Sequence, residues 1–307
     1  MSNFLFSIHE SNHSQNIKTM KTKLVLLALL SAFGLRPSAL LQAATTIDPA
    51  NRYAYAANLG WVDWRGDTNS GAVIGEYVCA GYFYSANVGW INLGGGAPTN
   101  GIQYQNLSAS DFGVNQDGLG NLRGYAWGAN IGWLNFGATG TPKVDLLTGN
   151  LSGYAYSANG GWISLSNATA YVQTDTIQPG QLAPNGLPIA WLLANFGTTN
   201  VNANADPDGD GMSNLQEYLA GTNPNDAADV LRITSFRRNV LAANYNQFTW
   251  NSKPTRFYAV QYRSALDQNP TWADYGYFSV PGVSGTGFFD ANNQEFYRIR
   301  AYRPLMP

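Results

Sequence analysis

Residues Asp206-Pro207-Asp208-Gly209-Asp210-Gly211-Met212-Ser213-Asn214-Leu215-Gln216-Glu217 carry the oxygen donors that a hard divalent cation needs. Calcium takes about six to eight oxygen ligands, and a twelve-residue loop supplies them at fixed positions. Asp206, Asp208 and Asp210 offer carboxylates at positions 1, 3 and 5. Gly211 permits the sharp turn at position 6. Met212 contributes its backbone carbonyl at position 7, so its side chain is immaterial there. Asn214 stands at position 9, where it acts directly or through water, and Glu217 closes the set at position 12 with both oxygens. The expected ligand is Ca2+. No residue of the chain is assigned a catalytic or organic-cofactor role.

The elements that must hold this loop are legible around it. Ser213 or Asn214 caps a short helix through Leu215–Ala220, with Gly221 as its stop and Asn223-Pro224 preventing continuation. Upstream, Pro188 opens a helix Ile189–Phe196 that ends at Gly197. Trp191, Leu192 and Phe196 are expected to pack on Leu215, Tyr218 and Leu219. Asn200, Asn202 and Asn204 are further oxygen donors nearby in the sequence, but the simpler reading is an Asn-rich linker.

Residues 186–229, through Glu217-Tyr218-Leu219-Ala220-Gly221-Thr222-Asn223-Pro224, resemble the thrombospondin type 3 and dockerin-like calcium repeats of exported bacterial proteins, which are EF-hand-type loops. The resemblance implies that Asp206, Asp208, Asp210, Asn214 and Glu217 bind calcium. Two departures matter. Thr198–Ala205 separate the upstream helix from the loop, where an EF-hand helix runs straight in. One loop is present where a dockerin has two, so docking to a cohesin is not implied. A single exposed loop of this kind is expected to bind weakly, with a Kd on the order of 10⁻⁴ to 10⁻³ M.

The chain of 307 residues has 33 Gly, 14 Pro and 12% charged residues, and long helix-period runs are scarce. That texture is turn-rich β structure, and the fold class is mainly β. One pattern recurs four times: Tyr53-Ala54-Tyr55-Ala56-Ala57-Asn58-Leu59-Gly60-Trp61, then the runs ending at Trp90, Trp133 and Trp162. Asn58 and Asn87 lie 29 residues apart, as do Asn130 and Asn159, and the two pairs are offset by 72. A duplicated 72-residue unit of two hairpins follows, which argues for a pseudo-symmetric domain. Aromatic and small residues alternate at strand period, Asn-x-Gly supplies the turn, and the Trp opens the return strand. The simpler reading of the four Trp is packing between repeats, since a residue fixed in every unit serves the shared fold. The other is a carbohydrate platform of exposed rings. Residues 50–170 are similar to GYAW-x-x-N-x-GWI repeats in uncharacterised exported bacterial proteins, a resemblance that carries no activity.

From Leu231 short alternating strands are separated by turns at Asn251–Pro254, Pro281-Gly282, Ser284-Gly285 and Asn292-Asn293. This spacing predicts a β-sandwich over 230–307, with Trp250 and Trp272 in its core. Its order of aromatics loosely resembles a fibronectin type III or immunoglobulin-like module.

Lys18, Lys21 and Lys23 precede an apolar run from Leu24 to Leu35 and a small-residue exit at Leu41-Gln42-Ala43-Ala44. Residues 1–43 therefore read as a secretory signal with an upstream extension, and the run is too short to span a bilayer. The expected organisation is signal 1–43, hairpin repeats 44–175, linker and calcium segment 176–229, and sandwich 230–307. Removing the signal removes His9 and His13, the only histidines, which excludes Ser-His-Asp or Cys-His catalysis and any His-ligated metal. Cys79 is the only cysteine, so an internal disulfide is excluded. The mature net charge is −5, whereas 230–307 carries nine Arg/Lys against four Asp/Glu. A carboxylate pair for glycoside cleavage is not visible among the acids of the repeats.

The expected function is that of a secreted, extracellular or cell-surface bacterial protein, non-enzymatic, calcium-binding, and structural or adhesive. The alternative is a carbohydrate-binding module using the repeat aromatics, with a glycan-cleaving enzyme behind it. Expected partners are calcium and an extracellular polysaccharide or another surface protein. Nucleic acid is not among them, and no transmembrane segment remains after signal removal.

Overall fold

The computed structural model describes residues 44–240, 245–263, 271–279, 284–290 and 296–306. Residues 1–43, read from the sequence as a secretory signal, lie outside the described residues. Among the described residues, no helix is long and apolar enough to cross a membrane.

The repeats form eight strands in four antiparallel hairpins. The first is β1 (Ile47–Ala56) with β2 (Gly60–Asp63), and the second is β3 (Ala80–Ser85) with β4 (Gly89–Gly95). A short strand β5 (Val114–Gln116) precedes the third, β6 (Leu122–Gly128) with β7 (Gly132–Asn135). A small ladder of β8 (Lys143–Val144) and β9 (Leu151–Ser152) precedes the fourth, β10 (Tyr154–Ser157) with β11 (Gly161–Ser164). Each hairpin pairs with the next, and β11 returns to pair with β1 through Tyr55↔Ser164 and Ala56↔Ile163. The sheet is thus a closed eight-stranded barrel with no free edge. A last strand, β12 (Val172–Thr174), adds to the start of β1.

Strand parity decides what fills the barrel. Successive side chains alternate sides, so Ala54, Ala56, Val62 and Trp64 point in, as do Phe83, Ile91, Leu93, Leu134, Phe136 and Ile163, all buried. Trp64 stacks on Phe83 with centroids 4.8 Å apart. A barrel of this strand number is just wide enough for side chains to fill it.

The repeated tryptophans are on the other side, which corrects the packing expectation. Trp61, Trp90, Trp133 and Trp162 are 50%, 45%, 44% and 47% exposed. Each lies directly opposite an aromatic in its own hairpin: Tyr55↔Trp61, Tyr84↔Trp90, Trp127↔Trp133 and Tyr156↔Trp162. Between these pairs the barrel wall carries a polar residue, flanked by aromatics on both neighbouring strands. Asp63 pairs with Tyr53 and Tyr84, Asn92 with Tyr82 and Trp127, Asn135 with Tyr125 and Tyr156, and Ser164 with Tyr154 and Tyr55. The signal was present in the chain: two residues after each Trp stands Asp63, Asn92, Asn135 or Ser164, so Trp shares the polar parity.

The invariant Asn residues close one end of the barrel. The Asn87 amide donates to the Leu59 carbonyl (3.1 Å), Asn130 to Val88 (3.2 Å), Asn159 to Ile131 (3.1 Å) and Asn58 to Gly160 (3.4 Å). Each turn is therefore bonded to the preceding one, and the cycle is complete. The glycine that ends each Asn-x-Gly has φ between 69° and 80°, a conformation that glycine adopts without a Cβ penalty. Leu59 and Ile131 plug the barrel end, and a Cβ on Gly160 would meet Ile131 at 2.6 Å and Leu59 at 3.1 Å.

Downstream lie two helices, α1 (Ile189–Phe196) and α2 (Asn214–Ala220), where the sequence places them. The C-terminal region forms two three-stranded antiparallel sheets. One is β13 (Ile233–Val240), β14 (Tyr245–Asn251) and β17 (Ser284–Asp290); the other is β15 (Phe257–Arg263), β16 (Ala273–Ser279) and β18 (Phe296–Tyr302). Their shared core joins Phe248 and Trp250 of β14 to Tyr258 and Val260 of β15. Trp250 is buried as expected. Trp272 is not a core residue: it is half-buried, with the guanidinium groups of Arg263 (4.5 Å) and Arg298 (4.4 Å) over its ring.

Candidate metal centre

The acidic loop leads directly into α2. Ser213 caps that helix in a reciprocal capping box: its side chain accepts the Gln216 N–H, and the Gln216 side chain accepts the Ser213 N–H. Asn214 and Glu217 occupy the buried side of its first turn, and the carbonyl of Glu217 accepts the closing bond from Gly221. Helix α1 supports α2 from behind. Trp191 meets Tyr218 edge to face at 5.7 Å, in a core with Ala183, Leu187 and Leu192. Phe196 and Leu219 border that core, but Leu215 is turned out to solvent, contrary to expectation.

The loop's own backbone arranges its carboxylates. Asp206 accepts the N–H groups of Gly209 (2.8 Å) and Gly211 (2.9 Å), one on each oxygen. Asp208 Oδ1 accepts from Asp210 N, and Asp210 Oδ1 accepts from Met212 N at 2.7 Å. Gly211 has a φ of 96°, as position 6 requires. The three aspartates present ligand oxygens within 4.8 Å of one another. This cluster could hold a metal ion.

What remains unbonded is more telling than what is bonded. Asp208 Oδ2, Asp210 Oδ2, Asn214 Oδ1 and both Glu217 carboxylate oxygens are buried with no hydrogen-bond partner. Buried polar atoms are normally satisfied, and a buried carboxylate without a partner is costly. Glu217 is fully buried, and its carboxyl is pushed up to about 7, first by burial and then by the charges of Asp208 and Asp210. Asp206 moves the other way, held below the usual carboxylate range chiefly by the Gly211 N–H. The donor set is all oxygen, and it fits a hard cation.

Sequence reasoning missed the strut behind position 9. The Asn214 amide donates to the Asn202 carbonyl at 2.9 Å, which fixes which end of the amide is left for a ligand. Asn214 N and Leu215 N donate to the Ala205 and Ala203 carbonyls. The Asn-rich run is therefore a backbone support, not a loose linker.

The far end of α2 enters a buried ionic junction. Tyr218 donates its hydroxyl to Glu76 Oε2, on the loop after β2. Arg303 Nη2 lies 3.0 Å from the same oxygen, and Arg256 Nη2 lies 3.4 Å from Oε1. Arg256 also donates to the Leu219 and Tyr218 carbonyls, the orphan acceptors at the end of α2. Barrel, helix α2 and C-terminal sheets meet at one carboxylate.

Comparison of the chain with family models, curated proteins and solved structures returns no match.

Proposed function

We propose that this chain is an exported, non-enzymatic calcium-binding protein of structural or adhesive role, in which the cation loop braces the barrel against the C-terminal sheets. The observation that carries the reading is the set of buried, unbonded oxygens on Asp208, Asp210, Asn214 and Glu217. Asp206 and the Met212 carbonyl complete the ligand set. Bound calcium supplies the positive charge that offsets four carboxylates.

Calcium is favoured over magnesium on donor number and type. Magnesium holds its waters and uses one or two carboxylates, whereas this loop offers four and a carbonyl. The consequence for the chain lies in α2. Glu217 and Tyr218 are adjacent, so holding Glu217 in place holds the Tyr218 hydroxyl on Glu76. The signal-like pattern of residues 1–43 and the resemblance of 186–229 to exported calcium repeats support an extracellular setting, where millimolar calcium matches a weak site.

Calorimetric titration of the purified chain with calcium chloride tests this. Saturable binding with a Kd on the order of 10⁻⁴ to 10⁻³ M is expected, with magnesium weaker. Absence of heat at millimolar calcium rejects the proposal.

A further inference from the structure

We propose that the outer wall of the barrel is a binding surface for a neutral polysaccharide, read by four repeat-related subsites, each an aromatic pair beside a polar side chain. The surface is separate from the cation loop.

Three observations select this ligand chemistry. First, the tryptophans are held as rigid plates. Trp61 meets Tyr55 at 5.2 Å and 66°, and the other three Trp make matching contacts at 4.8 to 5.0 Å. A plate locked by its neighbour and still about half exposed loses little freedom on binding. Second, polar and aromatic residues alternate around the whole circumference, at two strands per repeat and so about 10 Å. A sugar presents both an apolar C–H face and hydroxyl groups, and this alternation answers both. The Asn92 Nδ2 and the whole Asn135 side chain make no hydrogen bond within the described protein, which leaves donors and acceptors for hydroxyls. Third, the belt carries one carboxylate, Asp63, and it is paired with Arg52 at 3.4 Å. Arg123, one position along the same strand face from Tyr125, has no ion pair among the described residues, so an anionic chain is the competitor that the alginate probe below tests.

A lipid bilayer is the poorer occupant. Membrane strands need about 9–11 residues, and β2, β7, β10 and β11 have four each.

Affinity electrophoresis of the purified chain tests the proposal, using gels containing hydroxyethylcellulose, xyloglucan, galactomannan or glycogen. Retardation by at least one is expected. Trp90→Ala should weaken it about fivefold, and alanine at all four repeat tryptophans should abolish it. These side chains are half buried against an aromatic partner, so melting temperature should fall, and retardation is compared at a temperature where each variant is shown to be folded. Should the fourfold variant not fold, Asn92→Ala with Asn135→Ala gives the same reading through the polar groups alone. Sodium alginate and phosphatidylcholine vesicles serve as counter-probes, with sedimentation for self-association. Retardation by none of the neutral polymers, binding only to alginate or vesicles, association of the chain through the belt, or retardation indifferent to all these substitutions overturns the proposal.

Discussion

The Tyr218 hydroxyl donates to Glu76 Oε2 across 2.8 Å of space and 142 residues of sequence. The residue before Tyr218 closes the cation loop, and the carboxylate it reaches also holds Arg256 and Arg303. Removing one partner of a buried ion pair leaves the others uncompensated, at a cost of about 3–5 kcal/mol. Glu76→Ala is expected to fall in that range by denaturant unfolding, and Tyr218→Phe to cost about 1 kcal/mol. Near-neutral behaviour of Glu76→Ala would remove the junction from the account of the fold.

Glu217→Gln should produce two opposite effects. The metal-free protein should gain stability, because a buried carboxylate among three aspartates becomes neutral. Calcium affinity should fall on the order of 100-fold with the loss of a charged ligand. Thermal melts with and without calcium read both. A variant that loses stability and keeps its calcium response contradicts the assignment.

The Glu217 carboxyl, raised to about 7 from an ordinary 4.5, also sets a pH dependence. A raised folded-state value means that the protonated form favours the metal-free fold. That contribution is complete below about 4.5 and is lost as pH rises through about 7. Melting of the chelator-treated protein should therefore decline between these values. The calcium-induced rise in melting temperature should grow over the same window, since ligand binding requires the ionised carboxylate. A calcium effect equal at pH 5 and pH 8 would contradict this.

Cys79 is fully buried, and burial pushes its thiol up to about 12. It should not react with a thiol reagent in the native state at pH 8, and should react fully on unfolding. Rapid native-state labelling would show that the barrel core opens.

Each amide of the Asn ring supplies one bond to the neighbouring turn. Asn87→Ala should cost about 1 kcal/mol, and so should Asn159→Ala. Their double variant should be close to additive, because each reaches a different turn. Urea titration of the four proteins measures this.

Much of this architecture was readable from the chain. Pro188 and Gly197 mark the first helix to the residue, and Ser213 and Gly221 mark the second to within one, since caps are local chemistry. The Asn-x-Gly turns likewise mark all four hairpins. Closure was not readable: the pairing of Tyr55 with Ser164 joins residues far apart, and no local signal encodes it. The recurrence of the tryptophans in every repeat suggests packing, while their parity with Asn92 and Asn135 places them outside. Glu76 gave no signal, because its partners come from three distant segments. The proposed cation ligands can be named from the chain because one short loop carries all of them.

Linear repeat arrays can lengthen or shorten at their tips, where capping units shield the last interface. This barrel has no tip. Asn58 reaches back to Gly160, so the first and last hairpins are neighbours, and the copy number is set by circumference. A fifth hairpin would widen the bore beyond what Trp64 and Phe83 can fill. Variation must then enter between hairpins, as in the 43-residue step from Asn87 to Asn130, which makes the connecting loops the place where such a chain can acquire new properties without reopening the ring.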